Sequence, residues 1–299
     1  MTFSTTIFPR INFIKNFGDR LQQRIANGRV AMFFNRLVTG DASLDLDFAS
    51  TKSLTDSVSG DNLITFTRAS SATYVGSDGL IATAATNEPR FDHDPATGES
   101  LGLLIEEART NLMLNSGTTA EMRPTGSTSR TSGGFAAPDG STDASRVNLP
   151  EVTQPGEIKI VSEILGVSPN TDYTASIYLK GLNGGEVVYL TLASSVPTSS
   201  VTATLTTEWQ RFDITGLSNS GVLYFNVGVD TRPGTGQSNQ PAQSFYIWGA
   251  QIEYGSFPTS YIPTTSPPSP VRLMLLRSLV DELSFSFKPK FSGTAACFD

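Results

Sequence analysis

From about Leu112 to Pro263 helical periodicity is essentially missing, and short apolar-rich runs recur instead between clusters of Gly, Pro, Asn and Ser. The clearest runs are Ala144–Leu149, Tyr173–Leu179, Val187–Leu192 and Leu223–Val229. Strands at this spacing, bounded by turn formers, predict two antiparallel sheets packed face to face, with a jelly roll as the favoured topology. Composition agrees: 38% of residues are apolar and only 16% charged, a balance typical of exposed β-proteins, while 28 aromatic residues argue against general disorder. A length of 299 residues allows two modules with terminal appendages.

Ahead of the sandwich, residues 43–112 read as a small hairpin-rich β-element. Leu44-Asp45-Leu46-Asp47-Phe48 and Leu63-Ile64-Thr65-Phe66-Thr67 alternate with the period of two of half-buried strands. Gly76-Ser77-Asp78-Gly79 and Asp94-Pro95-Ala96-Thr97-Gly98 each separate a pair of strand-like runs and are expected to be hairpin turns. After the sandwich, residues 264–299 open with a Pro-rich linker that cannot continue a sheet and then run on as an ill-patterned tail.

The N-terminal segment, residues 1–42, is of another kind. Ile14, Phe17, Leu21 and Ile25 recur at helical spacing among basic residues that include Arg20 and Arg24, which predicts a basic amphipathic helix. Such a helix caps the next core, docks on an acidic partner or lies on a membrane surface. Residues 1–40 carry a net charge of +5, whereas 41–270 carry −13 within a total of −7, so nucleic acid is not expected as a partner. No stretch reaches the roughly 20 apolar residues of a membrane span, and no secretory leader is recognisable. A single cysteine, Cys297, excludes an internal disulfide, and a single histidine, His93, argues against a Ser-His-Asp triad or a His-based metal site.

Two stretches resemble structural proteins of tailed phages. One comprises Leu44 to Ala49, Thr65-Phe66-Thr67-Arg68-Ala69-Ser70-Ser71-Ala72-Thr73-Tyr74-Val75, Pro89-Arg90-Phe91-Asp92 and Leu103-Leu104-Ile105-Glu106-Glu107-Ala108-Arg109-Thr110-Asn111-Leu112. The other is Trp248-Gly249-Ala250-Gln251-Ile252-Glu253-Tyr254-Gly255-Ser256-Phe257-Pro258-Thr259-Ser260-Tyr261-Ile262-Pro263-Thr264, similar to the last strand of the carbohydrate-binding-module-like sandwich of those proteins. The resemblance implies a virion location, a fibre or spike component anchored to other virion proteins through residues 1–42, a homo-oligomer of trimeric type, and attachment to a host-surface glycan. A capsid decoration or cement protein is the alternative, with a glycan-depolymerising spike behind it. In such proteins a lectin-like domain commonly follows the sandwich, with Ala-Asp-Val-Ala-Ser-Ile at the junction. Codons exist that encode Arg272-Leu273-Met274-Leu275-Leu276-Arg277-Ser278 in one frame and that run in another, so residues 271–299 are expected to be a shifted-frame tail.

Glycan recognition in a jelly roll needs aromatic faces on an open sheet or loop, with acids and amides to bond hydroxyls. The candidates are Tyr178, Tyr189 and Tyr224, each weighed against a place in the core; Tyr246 is a further ring. Trp209 and Trp248 sit in strand-like runs beside apolar residues and read as core. Asp92, His93, Asp94 and Glu99 gather ligands around a turn but lack the spacing of a calcium loop, so a polar hairpin tip is expected. Asp45 and Asp47 would share one solvated strand face. With no Gly-x-Ser-x-Gly, phosphate loop or zinc signature, no cofactor, metal or enzymatic activity is expected.

Overall fold

The structure, a computed structural model, describes residues 44–193 and 197–265. The expected anchor helix with Ile14, Phe17, Arg20, Leu21, Arg24 and Ile25, and the expected shifted-frame tail, lie outside the described residues. No helix occurs among the described residues, and none there is long and apolar enough to cross a membrane.

Among the described residues fourteen strands follow one another: β1 (Ala72–Val75), β2 (Ile81–Ala84), β3 (Phe91–His93), β4 (Ser100–Leu103), β5 (Arg123–Thr125), β6 (Ser129–Phe135), β7 (Ala144–Leu149), β8 (Ile158–Gly166), β9 (Thr171–Gly181), β10 (Val187–Ala193), β11 (Pro197–Thr204), β12 (Gln210–Ser218), β13 (Val222–Asp230) and β14 (Gln243–Tyr254). The first four form the hairpins β1-β2 and β3-β4; the others form two five-stranded antiparallel sheets, ordered β11-β10-β13-β8-β5 and β12-β9-β14-β7-β6. From β7 to β14 the chain crosses from one sheet to the other at every connection except the one between β10 and β11, which pair as a hairpin. Taking β7 to β14 as the eight strands of a jelly roll, 1 to 8, the sheets read 6-3-8-1 and 5-4-7-2, the strand order of two intertwined Greek keys. β5 and β6 extend one edge of each.

Alternation explains the core. β9 turns Tyr173, Ala175, Ile177 and Leu179 inward, β10 Val188, Leu190 and Leu192, β13 Leu223, Phe225, Val227 and Val229, and β14 Phe245, Ile247 and Ile252, and all of these are buried in one cluster. Full burial of each large side chain contributes about 1.5–3 kcal/mol, which makes this cluster the dominant favourable term.

Two expectations for the β-element fail. Leu44–Phe48 and Leu63–Thr67 are not strands; apart from an isolated bridge between Thr55 and Asn62 this stretch has no ladder. Side-chain bonds have taken the backbone instead. The Asp56 carboxylate accepts the N–H groups of Asp45 at 2.7 Å, Val58 at 3.2 Å and Ser59 at 3.0 Å, and Asp47 caps a turn by accepting the Ser50 N–H at 3.0 Å. Asp45 and Asp47 therefore share no strand face. The two hairpins do form: Asp94 accepts the N–H groups of Ala96 and Thr97 and shapes the polar tip between β3 and β4. Among the described residues no group of acids, His and Cys is placed to hold a metal ion.

Candidate functional site

The two sheets differ in what their outer faces meet. On β9 the side chains of Thr174, Ser176 and Tyr178 point away from the core, yet Thr174 and Ser176 are fully buried. Their cover comes from the hairpins and from residues 256–264, which double back after β14. The run Trp248–Glu253 is built to hold that cover. A bulge between Trp248 and Gln251, made possible by Gly249 at φ +63°, leaves Trp248, Gln251 and Glu253 on the outer face while Ile247 and Ile252 face inward. Glu253 accepts the Thr259 N–H at 2.7 Å and the Thr259 hydroxyl at 2.7 Å; Gln251 Oε1 accepts the Ile262 N–H at 2.7 Å. Glu106 accepts the Ser260 N–H at 2.7 Å and pairs with Arg90 at 2.8 Å, and Arg90 Nη1 also donates to the Thr73 carbonyl at 2.8 Å. The Thr73 hydroxyl donates to the Tyr261 carbonyl. Asn111 donates to the carbonyls of Ala250 and Ile262 and accepts from Met113 and Ile252. The stretches that carry the phage resemblance are thus bonded to one another.

This cover fixes three of the sequence candidates. Trp248 is buried, with Tyr261 at 4.4 Å and Tyr178 at 5.5 Å between ring centroids, and Trp209 packs partly buried in the same cluster. Both tryptophans therefore pack as read, though on the outer side of the sheet rather than between the sheets. Burial pushes the Tyr261 phenol up to about 12. Tyr178 lies beneath the hairpins, with the Arg211 guanidinium 5.4 Å from its ring centroid, and is not a platform on an open face.

Among the described residues, the outer face of β11-β10-β13-β8-β5 is open over β5, β8 and β13. It floors a cleft of about 1020 Å³ lined by residues of β5, β8 and β13, the end of β10 and the loop after β13. Tyr224 lies in this floor, paired across the ladders with Ile164 on β8 and Ala193 on β10. Because strand side chains alternate, Asn226 shares its face, and its Oδ1 accepts the Ser162 hydroxyl at 2.6 Å. The Asn226 Nδ2 group has no hydrogen-bond acceptor among the described residues. At one end Arg232 forks onto Asp230, with Nε to Oδ1 at 2.9 Å and Nη2 to Oδ2 at 2.6 Å. At the other stand Glu121, Arg123 and Glu163; burial and then the neighbouring Glu121 charge raise the Glu163 carboxyl to about 6, against the pull of Arg123. Asn226, Ser162, Glu163 and the two arginines escaped the sequence reading, although Tyr224-x-Asn226 spacing alone places the amide beside the ring.

Tyr189 is a correction. It lies on the same outer face, opposite Gly228, but the loop between β13 and β14 folds over it and leaves it 8% exposed. Its hydroxyl is 3.0 Å from Ser238 Oγ, and Gln237 Nε2 donates to Thr191 at 3.0 Å, which holds the loop down. Tyr246 packs on Phe135 at 5.1 Å. Of the three tyrosine candidates, Tyr224 alone is in the open cleft.

Fold and cleft together define a jelly-roll sandwich with one sheet covered by its own chain and the other, among the described residues, open over β5, β8 and β13. No protein-family model and no curated protein matches the sequence. Among solved structures, the chain is similar to the CBM22-1 xylan-binding domain from Paenibacillus barcinonensis Xyn10C, with a TM-score of 0.36 and 14% identity over 52% of this chain and 100% of that one. It is also similar to the enzymatically active domain of tailspike protein 4 of bacteriophage CBA120, with a TM-score of 0.34 and 10% identity over 48% of this chain and 21% of that one. A carbohydrate-binding module of family 36, solved with calcium and xylotriose, gives 0.29 and 15% over 50% and 100%.

Proposed function

We propose that the chain is a structural protein of a tailed-phage virion, a fibre or spike component that binds a host-surface glycan without cleaving it, along the outer face of β11-β10-β13-β8-β5. The observation that carries the binding part is the open cleft with Tyr224 in its floor and Asn226, Ser162, Thr235 and two arginines around it. Sugars present C–H faces to rings and hydroxyls to amides and charged groups, and this set answers both. Ile164, opposite Tyr224 on β8, supplies apolar floor beside the ring, and Ile160 supplies more further along the cleft. The virion part is supported by the phage-like stretches 43–115 and 248–264, and it carries with it the anchor over residues 1–42 and a trimer as the assembly.

A glycan array probed with the full chain and with Tyr224→Ala tests the binding part. We expect binding to at least one bacterial surface glycan, weakened tenfold or more by Tyr224→Ala and by Asn226→Ala; binding that survives both substitutions places recognition elsewhere. Immunogold labelling of purified particles with an antibody against residues 113–263 tests the virion part. Label on projecting fibres or the tail tip is the expected result, uniform label over the shell favours a decoration protein, and particles without label overturn the virion reading.

A further inference from the structure

The covered sheet hides a second, smaller space. Between its outer face and the hairpins lies a cavity of about 180 Å³, open to solvent. By the ~30 Å³ share of a water in the liquid it would hold roughly six waters, a space comparable to a single six-membered sugar ring. Tyr178 lines it, and the phenol hydroxyl has no hydrogen-bond partner among the described residues, although burial raises its pKa. That hydroxyl is not sealed from solvent and is free to bond a ligand that enters, while the Arg211 Nε on the same wall is buried without a partner, and since buried polar groups are nearly always hydrogen-bonded this wall points to a ligand.

The surrounding groups specify that ligand's chemistry. Arg211 donates through Nη1 to the Thr259 carbonyl at 2.7 Å and through Nη2 to Ser176 Oγ at 2.9 Å, while its buried Nε has no partner. Asp92, whose Oδ1 accepts the Val75 N–H at 2.8 Å, is raised by burial. The Tyr178 hydroxyl feels both charges, the guanidinium favouring its ionised form and the carboxylate opposing it. A cation would be opposed by Arg211 and an anion by Asp92. Ile81 and Leu104 supply apolar wall. A neutral ring with hydroxyls on its rim and C–H groups on a face satisfies all of these at once.

We propose that this cavity is a binding site for one neutral hexopyranose unit, held through the Tyr178 hydroxyl and the Asp92 carboxyl. It is independent of the cleft, which lies on the other sheet. Trp248 packs edge-on against Tyr178 and Trp209 packs in the same cluster, so tryptophan emission reports on the occupancy of the cavity. The test titrates the full chain with D-glucose, D-galactose, D-mannose and N-acetyl-D-glucosamine. At least one of them is expected to give a saturable emission change, retained in Tyr224→Ala and weakened at least fivefold in both Tyr178→Phe and Asp92→Asn. No saturable change with any of the four overturns the proposal, as does a change that both of those variants leave intact. Loss in Tyr224→Ala alone assigns the signal to the cleft and also overturns it.

Discussion

Asn111 and Ile252 stand 141 positions apart in the chain, and the Asn111 carboxamide oxygen accepts the Ile252 N–H at 3.1 Å while its nitrogen donates to the carbonyls on either side of the fold-back, Ala250 and Ile262. One buried amide thereby joins the entry to the sandwich, its last strand and the segment that covers the sheet.

Asn111→Ala should be among the most damaging single substitutions. It strips partners from the N–H groups of Met113 and Ile252 and from two carbonyls. Buried groups left unsatisfied cost about 1–3 kcal/mol each before water relieves them, so a loss of about 3 kcal/mol is expected, read as a lower urea midpoint with an unchanged slope.

Gly249→Ala strains the bulge. The glycine has φ +63°, and an added Cβ would sit 3.1 Å from Tyr178 Cδ2 and 3.4 Å from Tyr261 Cε2. A cost of about 1–3 kcal/mol is expected from backbone and crowding together. Gly166→Ala is the control, since nothing lies within 4 Å of its Cβ position and its φ is not positive. Thermal melts of the two variants should separate by several degrees.

Glu163 gives a pH signature. Its folded-state value of about 6 lies above the ordinary 4.5, so the folded protein binds the extra proton and stability from this group falls as pH rises from about 4.5 to about 6. Glu163→Gln should therefore stabilise the protein at pH 7, by up to about 1 kcal/mol after allowing for solvent screening of a half-buried group, and make no difference at pH 4. Denaturation midpoints at the two pH values check this.

Asp56 has the opposite sign. Hydrogen bonds from Asp45, Ser59 and Val58 hold its carboxyl at about 2, below the ordinary 3.8, so its contribution is complete above about 4 and is lost as pH falls towards 2. Asp56→Ala should abolish hydrogen-exchange protection at the amides of Asp45, Val58 and Ser59 while leaving β7 to β14 protected.

The sandwich strands were legible because burial on one face of a strand writes itself as alternation. Ala144–Leu149 matches β7 residue for residue, and Val187–Leu192 falls one residue short of β10. The same signal misled over Leu44–Phe48, where alternation was present but Asp56 and Asp47 offered the backbone nearer partners than a neighbouring strand. Site prediction failed for a different reason. Tyr178, Tyr189 and Tyr224 all lie on outer faces, and what separates them is cover supplied by chain 70 or more residues away for Tyr178 and about 50 residues away for Tyr189, which no local pattern records. The run Trp248–Glu253 had a recognisable sequence, but its purpose as a clasp for residues 259–262 emerges only from the bulge.

The position of β14 also sets an order of events during synthesis. Among the described strands it is the last one made, and it lies in the interior of its sheet, between β9 and β7. Until Gln243–Tyr254 have left the ribosome, β12-β9 and β7-β6 remain two separate ribbons, each with a bare strand edge facing the gap. Long-range pairing of this kind is slow to form and exposes such edges meanwhile. A nascent chain that stalls before this strand thus carries most of its jelly roll in a form prone to pair with its neighbours, and completion of this twelve-residue strand is the step that retires that hazard.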